Sequence, residues 1–215
     1  MSKALSAYKQ EMALQATEMR STLAQMSTST RLSIDDGQFK LPSGKLIGAK
    51  VKVVILGYVR NNALYTGAYD PTNRAAPICS AVGKLLDDSM APKANSEDPQ
   101  STTCAVCEQN EWGSRGDGSN AKACKNTYTA AVVIPNDPEN ILHLNVSATA
   151  LKSWDEAIQA LLEAAPGSLA CSYIAHLEIK RVNRAKIVTI ATAEPNPNEE
   201  QSFGLTVKAM KELLR

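Results

Sequence analysis

Cys104 and Cys107 form a CxxC knuckle inside a long polar stretch, residues 78–126, that has little apolar content of its own. A segment of that composition cannot bury enough apolar surface to offset the entropy of ordering it, so it needs a cross-link to stay folded. The knuckle supplies half of one, because two thiolates at this spacing can face one tetrahedral metal while backbone amides support the sulfurs. Cys124 follows after sixteen intervening residues and Cys79 precedes by twenty-four, so Cys79, Cys104, Cys107 and Cys124 can close a four-sulfur site without a second CxxC pair. His143 and His176 are alternative fourth ligands, although each sits in an apolar, strand-like run where a lone histidine is usually a packed residue. The expectation is one structural zinc ion, worth on the order of 10 kcal/mol in small finger peptides.

Other cysteine chemistries fit less well. Five cysteines are an odd number for a disulfide framework. A thioredoxin-like pair would open a helix after a buried strand, whereas Cys104 follows a polar loop. The His-x-Glu and Pro-Cys-x-x-Cys pattern of zinc deaminases is missing, and no phosphate-loop spacing is completed. Cys171 reads as a small buried side chain. No nucleophile, base and orienting group can be placed together from spacing, so the chain is not expected to be an enzyme.

With 215 residues, 44% of them hydrophobic, the chain can build one core carrying a sizeable insertion. No apolar run is long enough to cross a bilayer, and the first residues lack the apolar centre of a secretory signal, so a cytoplasmic location is expected, with no membrane partner. The net charge of +1 gives no global attraction to a polyanion, so any nucleic-acid contact must come from locally clustered cations.

The first segment, 1–30, places Leu5, Tyr8, Met12, Ala16, Met19, Leu23 and Met26 at steps of three and four, which predicts a helix. It would pack on the body of the protein or serve a second copy of the chain. From Arg31 the texture becomes short β-branched runs split by turn residues such as Asp36-Gly37 and Pro42-Ser43-Gly44. A long strand is expected over 46–60, a turn at Asn61-Asn62, and a return strand over 64–69. Further strands are expected at 128–134 and 141–146. A helix with Leu151, Trp154, Ile158, Leu161 and Leu162 on its apolar face follows, then a hairpin of strands at 171–182 and 186–193. An amphipathic helix closes the chain over 196–215. Long strand, return strand, third strand, helix and closing pair is the order of a five-stranded OB-type Greek-key barrel, here spanning 31–195 with the cysteine region inserted at about 75–127.

Aromatic and basic residues along these strands suggest a nucleic-acid surface. Tyr58, Arg60, Tyr65, Tyr69 and Arg74 lie on or just past the first expected hairpin, where rings can stack on bases and arginines can take the backbone. Lys50, Lys52, Lys180, Arg181, Arg184 and Lys186 add cations on the strands that flank the usual binding face of such a barrel. In the cysteine region, Trp112, Arg115, Lys122 and Lys125 mix an aromatic with cations among flexible residues. The plainer reading makes the tyrosines core, the lysines a solvated face, and Trp112 a cover for the metal.

Cys104-Ala-Val-Cys107, then Asn110-Glu-Trp112-Gly113-Ser114 and Lys122-Ala-Cys124-Lys125-Asn126, with Leu144 to Trp154 further on, resembles a group of tailed-phage and prophage proteins that look like zinc-containing, OB-type single-stranded DNA-binding proteins. The resemblance covers roughly residues 78–182. It implies zinc ligation by Cys104, Cys107 and Cys124 with Cys79 as the natural fourth, single-stranded DNA contacts from nearby aromatic and basic positions, and a role in phage DNA replication or recombination beside the proteins of those processes. One departure stands out: many replication-type binders end in an acidic recruiting tail, whereas this chain ends with Lys208, Lys211 and Arg215 among apolar residues. The alternative is an adaptor that binds a host or phage protein through its helices.

Overall fold

A computed structural model describes residues 30–67, 75–85, 87–182 and 185–214. The expected N-terminal helix, Tyr69, Arg74 and Arg184 lie outside the described residues. The described chain folds into one curled, mixed β-sheet with two α-helices: β1 (Arg31–Asp35), β2 (Gln38–Lys40), β3 (Lys50–Leu64), β4 (Cys79–Gly83), β5 (Lys125–Ile134), β6 (Asp137–Val146), α1 (Leu151–Ala164), β7 (Tyr173–Val182), β8 (Ala185–Pro195) and α2 (Glu199–Leu213). The sheet runs in the order β2-β1-β6-β5-β3-β7-β8, with β4 also on β3. It is therefore β-dominated, with eight strands where five were expected. No helix among the described residues is long and apolar enough to cross a membrane.

β3 organises the molecule. One edge pairs with β5 from Val54 to Ala63, and the other is shared between β7, from Lys50 to Val54, and β4, from Arg60 to Leu64. The expected turn at Asn61-Asn62 is not formed, because β3 continues to Leu64 and both asparagines bond sideways; of the return strand expected over 64–69, the described residues 65–67 are not in a strand. Asn61 Nδ2 donates to Thr129 Oγ1 at 2.8 Å, and Asn62 Oδ1 accepts from Asn126 Nδ2 at 2.6 Å. β1 and β2 form a hairpin whose two loop residues, Asp36 (φ 44°) and Gly37 (φ 78°), take the left-handed conformation of a tight primed turn. β1 then lies parallel to β6, with Leu32 beside Leu144.

A bulge in β3 between Ile55 and Gly57 decides which face each later side chain meets. Before it, Val53 and Ile55 enter one core while Val54 and Leu56 enter the other; after it, Tyr58 joins the first and Val59 the second. The first core is closed by α1 through Trp154, which is fully buried, and Ile158. A buried tryptophan removes 150–250 Å² from water, which stabilises by roughly 4–6 kcal/mol at about 25 cal/mol per Å². The second core is closed on the opposite face by Ala209 and Leu213 of α2, with Leu205 and Met210 beside them. The buried Asn196 holds the start of α2 by donating to the Cys171 carbonyl at 2.8 Å and to Ser202 Oγ at 2.9 Å.

Candidate metal centre and nucleic-acid interface

The sheet register places two cysteines at the far end of β3. Leu64 pairs with Cys79 on one edge, and Ala63 pairs with Lys125, next to Cys124, on the other. The segment between β4 and β5 folds back over this end as a lobe. The Cys104 amide donates to the Met90 carbonyl at 2.7 Å and the Cys124 amide to the Gln109 carbonyl at 2.8 Å, while Asn110 Nδ2 donates to the Cys104 carbonyl at 2.9 Å. After Cys107 the chain makes one 3₁₀ turn, Glu108–Asn110, in place of the long helix a redox pair would begin.

Cys79, Cys104, Cys107 and Cys124 all line one cavity of about 10 Å³, and all four are free thiols, three of them buried. Burial pushes the Cys124 thiol up to about 11, with Cys104, Cys107 and Cys79 adding to the effect as neighbouring negative charges. Burial also raises the Cys104 thiol, while the Asn62 side-chain amide pulls it back down. Asn62 Nδ2 is buried, has no hydrogen-bond partner among the described residues, and belongs to a side chain that lines the same cavity as the four cysteines. Four thiols in one small cavity cannot all ionise without a cation between them.

The donor set therefore suits a soft divalent ion such as zinc, and the cavity lining carries no charged side chain that would compete. Among the described residues no group of three or more His, Cys, Asp or Glu side chains is drawn together as a coordination set. The two histidines lie elsewhere. His143, on β6, has Nδ1 3.3 Å from Thr30 Oγ1, and His176, on β7, has Nε2 3.3 Å from Glu194 of β8, so neither alternative fourth ligand sits with the cysteines. Cys171 is buried in the second core.

The candidate DNA contacts separate into three groups. Tyr58 is half-buried inside the first core, 5.3 Å from the Tyr128 ring and 6.1 Å from Trp154, and Tyr128 donates to Asp155 at 2.9 Å. Its plainer reading as core holds. Lys180 and Arg181 lie beyond Lys50, at the opposite end of β3 from the lobe, since Lys50 pairs with Glu178. Fourteen residues of strand separate the two ends, roughly 45 Å of contour at about 3.3 Å per residue.

Lys180 and Lys50 both reach Glu178, at 2.7 and 4.0 Å, Lys52 pairs with Glu194 at 2.8 Å, and Lys186 approaches Asp36 at 3.7 Å. Arg181 is likewise engaged. The third group gathers at the lobe. Trp112 is 72% exposed with Lys122 Nζ 5.2 Å from its ring centre, and Tyr65, at the end of β3, carries Lys125 Nζ at 5.1 Å. Arg115 pairs with Asp117 at 3.0 Å in the same lobe.

Sequence reasoning missed the asparagine ladder that joins lobe to sheet. Asn126 Nδ2 donates to both Asn62 Oδ1 and Asn110 Oδ1, at 2.6 and 3.0 Å, and Arg60 Nε donates to Asn62 Oδ1 at 3.3 Å. Lys122 Nζ donates to Asn110 Oδ1 at 3.4 Å, so one rung also carries a candidate DNA cation. Asparagine in isolation reads as a turn residue, which hid this role. No family model, curated protein or solved structure matches the chain.

Proposed function

We propose that this protein binds single-stranded DNA without sequence preference through the outer surface of its cysteine lobe, and that it acts by binding alone. The observation that carries the reading is the pairing of an exposed ring with a lysine at two neighbouring places, Trp112 with Lys122 and Tyr65 with Lys125. Stacking on such rings suits any base, and the adjacent ammonium groups suit the backbone phosphates. Zinc held by Cys79, Cys104, Cys107 and Cys124 would cross-link the lobe and so fix the rings in place. The buried Asn62 amide, which lines the same cavity, would then have a thiolate to donate to, as outer partners of metal ligands commonly do.

The strand order supports an OB-type reading of the body. β3, β5 and β6, then α1, then β7 and β8, with β3 paired to both β5 and β7, follow the order of such barrels. The lobe then fills the loop between the first two barrel strands, and β1 and β2 extend the β6 edge. Together with the resemblance of the cysteine and Trp-Gly-Ser elements to phage single-strand binders, this favours a role in phage DNA replication or recombination in the host cytoplasm.

The test is fluorescence anisotropy of a labelled oligo-dT titrated with zinc-loaded protein at several salt concentrations, beside a duplex of equal length. Binding should prefer the single strand and weaken with salt at a slope of about −0.7 per phosphate neutralised. Trp112→Ala should cost about 1–3 kcal/mol of affinity. No binding at low salt would remove the reading and leave the adaptor alternative.

A further inference from the structure

Between α1 and the lobe lies an open cleft of about 440 Å³, a volume within the range of small-molecule sites. Its floor is the sheet. Arg60 of β3 stands directly across from Tyr128 of β5, and Asn126 lies two residues from Tyr128 on the same strand, so all three side chains share one face. α1 contributes Lys152, Asp155 and Glu156, and Leu85, just after β4, lines the cleft as well.

Two opposite charges line this cleft without meeting. Among the described residues Arg60 forms no ion pair, and its one side-chain hydrogen bond runs from Nε to Asn62 Oδ1 at 3.3 Å, which leaves the terminal guanidinium nitrogens for another acceptor. Asp155 has no ion pair there either. Tyr128 donates to its Oδ2 at 2.9 Å, and Oδ1 is left to accept from something else. Lys152 and Glu156 are engaged with each other, at 3.8 Å. A ligand that satisfies both Arg60 and Asp155 must offer acceptors and a donor along one edge.

The neighbourhood of the cleft indicates which ligand this is. Asn126 Nδ2 donates to Asn110 Oδ1 at 3.0 Å, Lys122 Nζ donates to the same oxygen at 3.4 Å, and Lys122 is the cation beside the exposed Trp112 ring. A strand lying on the lobe therefore has the cleft beside it. We propose that the cleft seats one unstacked base of that strand, and that Arg60 and Asp155 read its edge, favouring cytosine over thymine. The two pyrimidines fill the same space and differ in that edge. Cytosine presents an amino group beside ring and carbonyl acceptors, which suits a carboxylate near a guanidinium. Thymine flanks its N–H with carbonyl oxygens on both sides, and a carboxylate repels them. The inference rests on the DNA-binding reading and adds a mild composition bias at one position of the bound strand.

The experiment is anisotropy titration of the zinc-loaded full chain with labelled oligo-dC and oligo-dT of equal length, at neutral pH, where neither base is ionised. The wild type should bind oligo-dC about fivefold more tightly. Asp155→Asn keeps an acceptor for Tyr128, and it should erase that ratio while oligo-dT binding holds. Arg60→Gln should shrink the ratio too, whereas Trp112→Ala should weaken both strands by the same factor. Photocrosslinking with 5-iodo-dC should reach Tyr128 as well as Trp112. Equal affinity of the wild type for the two strands would overturn the inference and leave the DNA reading standing. So would a ratio that survives Asp155→Asn at an unchanged melting temperature, or crosslinks confined to Trp112 and Tyr65. No binding of either strand would remove both.

Discussion

The Met210 thioether lies directly over Gly57, so close that a β-carbon added to the glycine would sit 2.5 Å from the sulfur. Gly57 stands at the bulge that resets the facing of β3, and α2 uses the missing side chain to approach the sheet. Gly57→Val should cost about 1–3 kcal/mol by overpacking, and Gly57→Ala less, because the end of a methionine can move. Adding Met210→Ala to Gly57→Val should restore part of the loss, read as a coupling energy from urea denaturation of the two single variants and the double. Strictly additive effects would mean the two residues do not constrain each other.

Asn126 is the middle rung between sheet and lobe. Asn126→Ala removes the 2.6 Å donor to the buried Asn62 and the 3.0 Å donor to Asn110. Each acceptor keeps one longer donor, Arg60 Nε at 3.3 Å on Asn62 and Lys122 Nζ at 3.4 Å on Asn110, so the cost is that of two lost hydrogen bonds, about 1–2 kcal/mol. The melting temperature should fall, and limited proteolysis should show faster cleavage within residues 87–123 than within β5 to β8. An unchanged cleavage pattern would mean the ladder does not hold the lobe.

The purified protein should carry one equivalent of zinc by elemental analysis. Cys107→Ser should lose most of it and melt at a lower temperature, and a chelator should bring the wild type to the same point. Cys171→Ser should keep the metal, because Cys171 lies in the second core. Full zinc content in Cys107→Ser with an unchanged melting temperature would remove the four-cysteine site.

Besides Asp117 in the lobe, held low by hydrogen bonds from Ser119, three carboxylates on the sheet sit below their ordinary values: Glu194 through hydrogen bonds from Lys52 and then His176, Glu178 through Lys180, and Asp35 through Lys40. The folded chain binds those protons less tightly than the unfolded chain, so these pairs stabilise the fold above the ordinary carboxyl values of 4.5 and 3.8, and that stability is lost as pH falls through the lower folded values. The melting temperature should hold down to about pH 5 and then decline toward pH 3. Glu194→Gln and added salt should both make the decline shallower. A melting temperature that rose on acidification would reverse the sign of the argument.

Alkaline titration followed at 295 nm should show late-ionising phenols. Burial, and then the Asp155 carboxylate, push Tyr58 up to about 12, and burial with the hydrogen bond to Asp155 moves Tyr128 in the same direction. Asp155→Asn should bring both back toward the ordinary tyrosine value of about 10. If all six tyrosines ionise together in the wild type, the cluster around Trp154 is not packed as described.

The sequence was readable where a pattern is local. The spacing of Leu151, Trp154 and Ile158 marks α1, Asp36-Gly37 marks its hairpin, and the apolar runs of β5 to β8 stand out between turn residues. β3 was cut short because Asn61 and Asn62 resemble a turn until their partners across the sheet are known. β4 escaped notice because Cys79-Ser-Ala-Val-Gly83 carries almost no strand signal of its own and is held by its pairing to β3. The parallel contact of β1 with β6 joins residues more than a hundred positions apart, which no window of sequence contains. In the site, cysteine spacing was legible, but the carboxylates that engage Lys50, Lys52, Lys180 and Lys186 were not, so charge alone marked more cations for DNA than the structure leaves uncommitted.

β3 also sets a timetable for the newborn chain. Its early residues, Lys50 to Val54, find their pairing partners in β7, which ends at Val182. At about 5–20 residues per second, the ribosome needs roughly 6–24 s to travel from Leu64 to Val182. For that interval Val51 and Val53 flank an open strand edge, the kind of template on which chains join wrongly. A transcript cut short before β7 would leave that edge open for good, so the last fifth of the protein, from Tyr173 on, serves as the seal for its sheet.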